Sequence, residues 1–348
     1  MLYYDVIYKE CKKKQAVGII KISGHERHDP SGKEKINLEY IEVSHLTKDY
    51  GHGRGIYDVS FKVSKGETLG FLGPNGAGKS TTMRQLMGFS KPQSGTAEIL
   101  GMNCSEKYSE ILKHVGYLPG EVALPDGQTG WQFIKMMQGL RKNGNNDERI
   151  KYLIDRFHMD PSPNVKLMSI GEKRKLAVIA AFMGDPDVLL LDEPTSGLDP
   201  VMQEEFINFI HDEKERGKTI LLSSHIFSEI EELCDRIAII KEGKILTILN
   251  AIDVKHGLRK EFNVILKTRD EYNHFLNEGF EITYKNDKSN KVVIVMEDAM
   301  TNKFLETIAK YNVTGFSEAS ISLEDFFMHF YKNDKTFGGV KSGRNHKS

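Results

Sequence analysis

The chain has 348 residues, 39% hydrophobic and 28% charged, with a formal net charge of −1. That length allows two or three soluble domains, and the balance of charge excludes an overall field for nucleic acid or a membrane surface. Its three cysteines, Cys11, Cys104 and Cys234, are far apart, which excludes a CxxC zinc site or a disulfide framework and fits a reduced compartment.

Residues 1–36 are polar and read as an unordered extension. The start, MLYYDVIYKECKKK, lacks signal-peptide patterning, and no apolar run approaches the roughly 18 residues of a membrane span. Order is expected from residue 37. NLEYIEVSHLT and IYDVSFKV alternate as strands, GETLGFLG is a short apolar strand entering a glycine loop, and STTMRQLMGF has helical character. Residues 105–165 read as mostly helical, with WQFIKMMQGLRK and ERIKYLIDRFHM clearest. A helix from about Ser169 should end near Gly184 and Pro186. DVLLL, KTILLSS and RIAII suit a parallel sheet covered on both faces. PVMQEEFINFIHDEKERG is an amphipathic helix with Pro200 in its first turn. Strands alternating with helices predict an α/β domain over 37–250. Beyond it, residues 251–331 read strand, helix, strand, strand, helix, strand, a small α+β accessory unit of ferredoxin-like order, followed by a helix at SLEDFFMHFY. The tail, 332–348, is polar and basic.

GPNGAGKST, residues 73–81, fits G-x-x-x-x-G-K-[ST] between a strand and a helix, the setting a phosphate-binding loop requires. Gly73, Pro74, Asn75, Gly76, Ala77, Gly78, Lys79, Ser80 and Thr81 are therefore candidate nucleotide contacts. The glycines let backbone N–H groups turn toward an anion, Lys79 would reach the β- and γ-phosphates, and the Ser80 hydroxyl would ligate Mg2+. VLLLDEP ends a buried strand in two acids, at the edge where open α/β sheets bind ligands. This strand is expected beside the phosphate-loop strand. Asp192 then suits Mg2+, and Glu193 a general base toward the γ-phosphate.

Taken together with SGLD at 196–199, LLSSH ending in His225, and MSIGEKRK at 168–175, these motifs resemble the ATP-binding cassette (ABC) family. The resemblance covers roughly 38–248. It implies a P-loop cassette with a mixed-sheet core and a helical subdomain at about 105–185. Tyr50 is placed like the aromatic that stacks on adenine, His225 like the histidine that contacts the γ-phosphate, and Asp199 like the D-loop aspartate. The cofactors implied are ATP and Mg2+. Two such subunits, as a homodimer, would meet head to tail, Ser169 and Gly171 of one facing the nucleotide of the other. Closure would drive a multi-helix permease of exporter type, with the cassette on the cytoplasmic face of the membrane and no nucleic acid as partner. Translation-type relatives resemble two cassettes on one chain, and only one phosphate loop is present here; repair-type relatives separate their halves by coiled coil, and no N-K-x-D motif points to guanine.

Three positions depart from the family pattern. Gly120 stands where a glutamine usually contacts Mg2+ and water, leaving Glu121 as a substitute. Ile170 and Glu172 replace glycine and glutamine of the signature. Ser169 and Glu172 also fit a capping box. Lys173, Arg174 and Lys175 oppose the helix dipole, and read as cations presented to a phosphate or an acidic surface.

Overall fold

The computed structural model describes residues 38–141, 146–252, 260–296, 300–319 and residues 323, 324 and 327; the extension and the tail lie outside the described residues. Those through Ala251 form one compact unit and those from Ile252 a second.

The first unit runs β1 (Glu39–Asp49), β2 (Gly55–Ser64), β3 (Thr68–Leu72), α1 (Lys79–Leu86), β4 (Ser94–Ile99), β5 (Met102–Asn103), α2 (Tyr108–Ile111) and β6 (Val115–Leu118). It continues with α3 (Gly130–Arg141), α4 (Asp147–Arg156), α5 (Ile170–Phe182), β7 (Val188–Asp192), α6 (Pro200–Glu215), β8 (Thr219–Ser224), α7 (Phe227–Leu233), β9 (Arg236–Lys241) and β10 (Lys244–Asn250). One sheet has the order β2-β1-β4-β5, the other β10-β9-β3-β8-β7-β6. In the second, β9, β3, β8, β7 and β6 are parallel and β10 is antiparallel. Every residue of β3, β7 and β8 is buried, as their unbroken apolar runs require. Ile41, Val43 and Phe61 from the first sheet share one core with Leu69, Phe71, Leu190 and Leu221 from the second. Phe61 meets Phe71 edge-on at 5.0 Å.

Two expectations are corrected. The strand carrying Asp192 is not beside β3, because β8 lies between them, pairing Ile220 with both Thr68 and Leu189. An apolar run marks a strand as buried on both faces but does not name its neighbour. Residues 105–118 are not helical throughout: Val115–Leu118 forms β6, paired with β7 from Val115↔Val188 to Leu118↔Leu191. Four residues containing a glycine give little periodicity to read. Gly116 is required there by packing, since a Cβ would stand 2.5 Å from the Ala181 carbonyl of α5.

The helical layer is joined to α6 by rings and charges. Phe157 meets Phe209 at 5.1 Å, and Phe182 meets Phe209 at 4.9 Å. Arg149 pairs with the buried Glu213 at 2.6 Å. Both described cysteines are free and buried. Burial pushes the Cys104 thiol up to about 12 and raises Cys234 as well. Cys234 occupies the space that Gly70 of β3 leaves, where a Cβ would be 2.5 Å from its sulfur.

The second unit has β11 (Lys260–Leu266), α8 (Arg269–Phe275), β12 (Glu281–Asn286), β13 (Lys291–Met296), α9 (Thr301–Ile308) and β14 (Val313–Ala319). Its sheet is antiparallel in the order β12-β13-β11-β14. Phe262, Val264, Tyr272, Phe275, Ile294 and Phe304 form its own core. Among the described residues, no helix is long and apolar enough to cross a membrane.

Candidate nucleotide-binding site

The loop from β3 to α1 is shaped by glycine. Gly78 caps α1 at φ 109 and Gly76 stands at φ 84, conformations that side chains with a Cβ rarely adopt. At Gly78 a Cβ would also lie 2.8 Å from Ile56 Cγ2. The first turn of α1 holds no acid, so no side chain of that turn opposes binding of an anion at the helix's positive dipole end. A cavity of about 490 Å³ opens here, lined by Tyr50, Arg54, Gly55, Pro74, Asn75, Gly76, Ala77, Gly78, Lys79, Ser80, Thr81, Arg84 and Glu193. Tyr50 is therefore brought to the loop; its ring is about half exposed and lies 5.5 Å from the Lys48 ammonium. Gly73 contributes its carbonyl, which accepts from Lys79 Nζ at 2.6 Å.

The predicted acids meet this loop. Lys79 is buried, and its ammonium stands 3.1 Å from Glu193 Oε1. That oxygen is itself buried and takes part in no hydrogen bond. His225 Nδ1–H donates to the other oxygen, Oε2, at 2.5 Å. Glu193 has a left-handed backbone at φ 48, which turns its side chain from the strand axis toward Lys79 and His225. Its N–H donates to the Ser223 carbonyl at 3.0 Å. Asp192 is buried, and the Ser223 hydroxyl donates to its Oδ1 at 2.6 Å. A Cβ at Gly120 would stand 3.3 Å from Asp192 Oδ2, so this loop flanks the carboxylate. Glu121 is exposed.

Ser169, Gly171 and Asp199 do not line the cavity of their own chain. Ser169 caps α5 in a capping box with Glu172: its hydroxyl accepts from Glu172 N at 3.2 Å, and its N–H donates to Glu172 Oε2 at 2.8 Å. The Ser169 N–H, followed by its hydroxyl, holds the Glu172 carboxyl below its ordinary value. Asp199 caps α6, accepting from Met202 N at 3.1 Å. The segments carrying the two caps are neighbours, since a Cβ at Gly171 would lie 3.4 Å from the Gly197 carbonyl.

Arg174 corrects the reading of three presented cations. It is buried, with its guanidinium turned inward. Nε donates to the Pro194 carbonyl at 2.9 Å; Nη1 donates to Pro119 at 2.6 Å and Gly120 at 3.2 Å; Nη2 donates to Asp192 at 3.3 Å and to Glu193. Burial lowers its pKa to about 10, with the charges of Asp192 and Glu193 acting the other way. Sequence reasoning also missed Glu229, which is buried and accepts from the hydroxyls of Thr195 and, at 2.7 Å, Ser224. The missed Ser223 had a signal: a polar residue ending an apolar strand, two positions before His225.

The family profile described as ABC transporter matches residues 56–196. The bacitracin transport ATP-binding protein BcrA of Bacillus licheniformis is 33% identical over 297 residues, covering 83% of this chain and 96% of that protein. The chain belongs to the ABC transporter ATP-binding proteins. The probable multidrug ABC transporter ATP-binding protein YbhF of Escherichia coli is 37% identical over 220 residues, 62% of this chain and 38% of that protein. Among solved structures, an ATP-binding subunit of an ABC transporter superposes with a TM-score of 0.58 at 27% identity, covering 62% of this chain and 92% of that one. This cassette is thus an ATP-binding, ATP-hydrolysing subunit of an ABC transporter.

Proposed function

We propose that the cavity at the head of α1 binds ATP with Mg2+, and that Glu193 activates the water that attacks the γ-phosphate. The carrying observation is the link Lys79–Glu193–His225, in which Lys79 and Glu193 line the cavity and His225 stands behind Glu193. Glu193 Oε1, buried and outside any hydrogen bond, is an acceptor for a water proton. His225 holds the other oxygen and fixes the carboxylate's direction. Tyr50 offers its ring to adenine, and residues 73–81 surround the phosphates. A Mg2+ ion suits hard oxygen donors: Ser80 supplies a hydroxyl and Asp192 a buried carboxylate already oriented by Ser223. When bound, the ion would neutralise charge on the β- and γ-phosphate oxygens.

The neighbouring segments that carry the caps at Ser169 and Asp199 support a head-to-tail pair of cassettes, with Ser169 and Gly171 facing the partner's nucleotide. Closure of that pair would power a multi-helix permease, placing the cassette on the cytoplasmic face of the membrane. The relatives' bacitracin and multidrug names support an exporter. Glu193→Gln tests the chemistry. A general base contributes about 10²- to 10⁴-fold, so turnover should fall in that range while ATP binding is kept. Wild-type turnover in steady-state phosphate release would remove Glu193 from the role.

A further inference from the structure

Arg174 belongs to the signature helix, yet its five acceptors all lie outside that helix. They are backbone carbonyls at the C-terminal ends of two adjacent parallel strands: Pro119 and Gly120 after β6, and Asp192, Glu193 and Pro194 at the end of β7. Carbonyls beyond the last ladder pair of a buried strand need partners. A planar guanidinium with donors on three nitrogens reaches both strand ends at once, which a lysine ammonium cannot do. The peptide it holds is the one that aims Glu193. That residue's left-handed backbone is costly for glutamate and persists only where the surroundings enforce it. Ser223 holds the Glu193 N–H from β8, and Arg174 holds the Glu193 carbonyl from α5. The other arm holds the Gly120 loop beside Asp192 Oδ2. The same helix begins at the Ser169 cap, one and a half turns before Arg174.

We infer that Arg174 is a positioning residue that ties the start of α5 to the backbone of Glu193 and to the Gly120 loop. A movement of the helix start therefore reaches the catalytic carboxylate through one side chain, linking the surface offered to a second cassette with the hydrolytic group of the same chain. The inference rests on the assignment of Glu193 as base.

The test compares Arg174→Lys, Arg174→Gln and Glu193→Gln for kcat, KM, equilibrium ATP affinity and melting temperature. Small misplacements of a reacting group cost up to about 100-fold, so both Arg174 variants should lose roughly 10- to 100-fold in kcat. Their ATP affinity should stay within about twofold of wild type, because the phosphate loop is untouched. Lysine should not rescue kcat even where it restores the melting temperature. If lysine restores both, Arg174 serves only as a buried cation and the inference fails. If Glu193→Gln abolishes turnover while the Arg174 variants turn over normally, the coupling fails and the base assignment stands. Full turnover in Glu193→Gln removes the base assignment, and the coupling with it. Should neither Arg174 variant fold, hydrogen exchange on the unaltered chain decides. The amides of Gly120, Glu193 and Thr195 should open with the first turns of α5 as one unit across a denaturant series. Independent opening overturns the inference.

Discussion

Lys79, which is buried, and Glu193, which is partly buried, form an ion pair, so each sets the condition of the other. Removing one partner of such a pair leaves an uncompensated charge. Lys79→Ala should therefore weaken ATP binding roughly 10- to 100-fold, at about 1.5–3 kcal/mol per charged hydrogen bond, and lower the melting temperature as well. Equilibrium binding of a fluorescent ATP analogue measures the first effect, and unchanged affinity would sink the phosphate-loop reading. At Gly120 a side chain must take its place beside Asp192 with only a few tenths of an ångström of adjustment. Gly120→Gln should consequently shift the Mg2+ concentration for half-maximal turnover; an identical Mg2+ titration would separate this loop from the metal. Residue types and spacing bring Lys79, Asp192, Glu193 and His225 forward from the sequence as candidates, and the structure links Lys79, Glu193 and His225 directly. Arg174 was not legible there, because three cations in a row look alike until burial separates them.

At the scale of elements, α5 shows what local rules read well. Ser-x-x-Glu announced a capping box, and both reciprocal hydrogen bonds are present. Ser169→Ala should cost about 1 kcal/mol, the typical value of an N-cap, measured by denaturant unfolding. Glu172 has a folded pKa below its ordinary 4.5. Its contribution is therefore complete above that value and is lost as pH falls through the folded pKa. The stability difference between wild type and Glu172→Gln should shrink as pH drops below about 4.5, and a difference that grows on acidification would contradict the cap. What escaped the sequence was pairing between elements. The β6 strand is too short for periodicity to show, and β8 entered between β3 and β7 because a buried strand carries no label for its neighbour.

Across the whole molecule, the two units have separate apolar cores. Phe304 is fully buried in the second, 5.1 Å from Phe262 and 5.6 Å from Phe280. Phe304→Ala should cost that unit about 3–5 kcal/mol, enough to unfold a small domain. Calorimetry should show loss of one transition with ATP turnover per cassette retained; a proportional loss of turnover would count against independent cores. The alternation of strands and helices predicts the order of elements after residue 260, and the described elements follow it.

The two buried thiols place a chemical clock in the cassette. Alkylation requires thiolate, and with Cys104 pushed up to about 12 and Cys234 raised by burial, neither reacts until its surroundings open. Cys104 belongs to the core shared by the two sheets, and Cys234 sits against Gly70 of β3. Timed alkylation read by peptide mass therefore reports, without any engineered label, the order in which the layers of the cassette come apart.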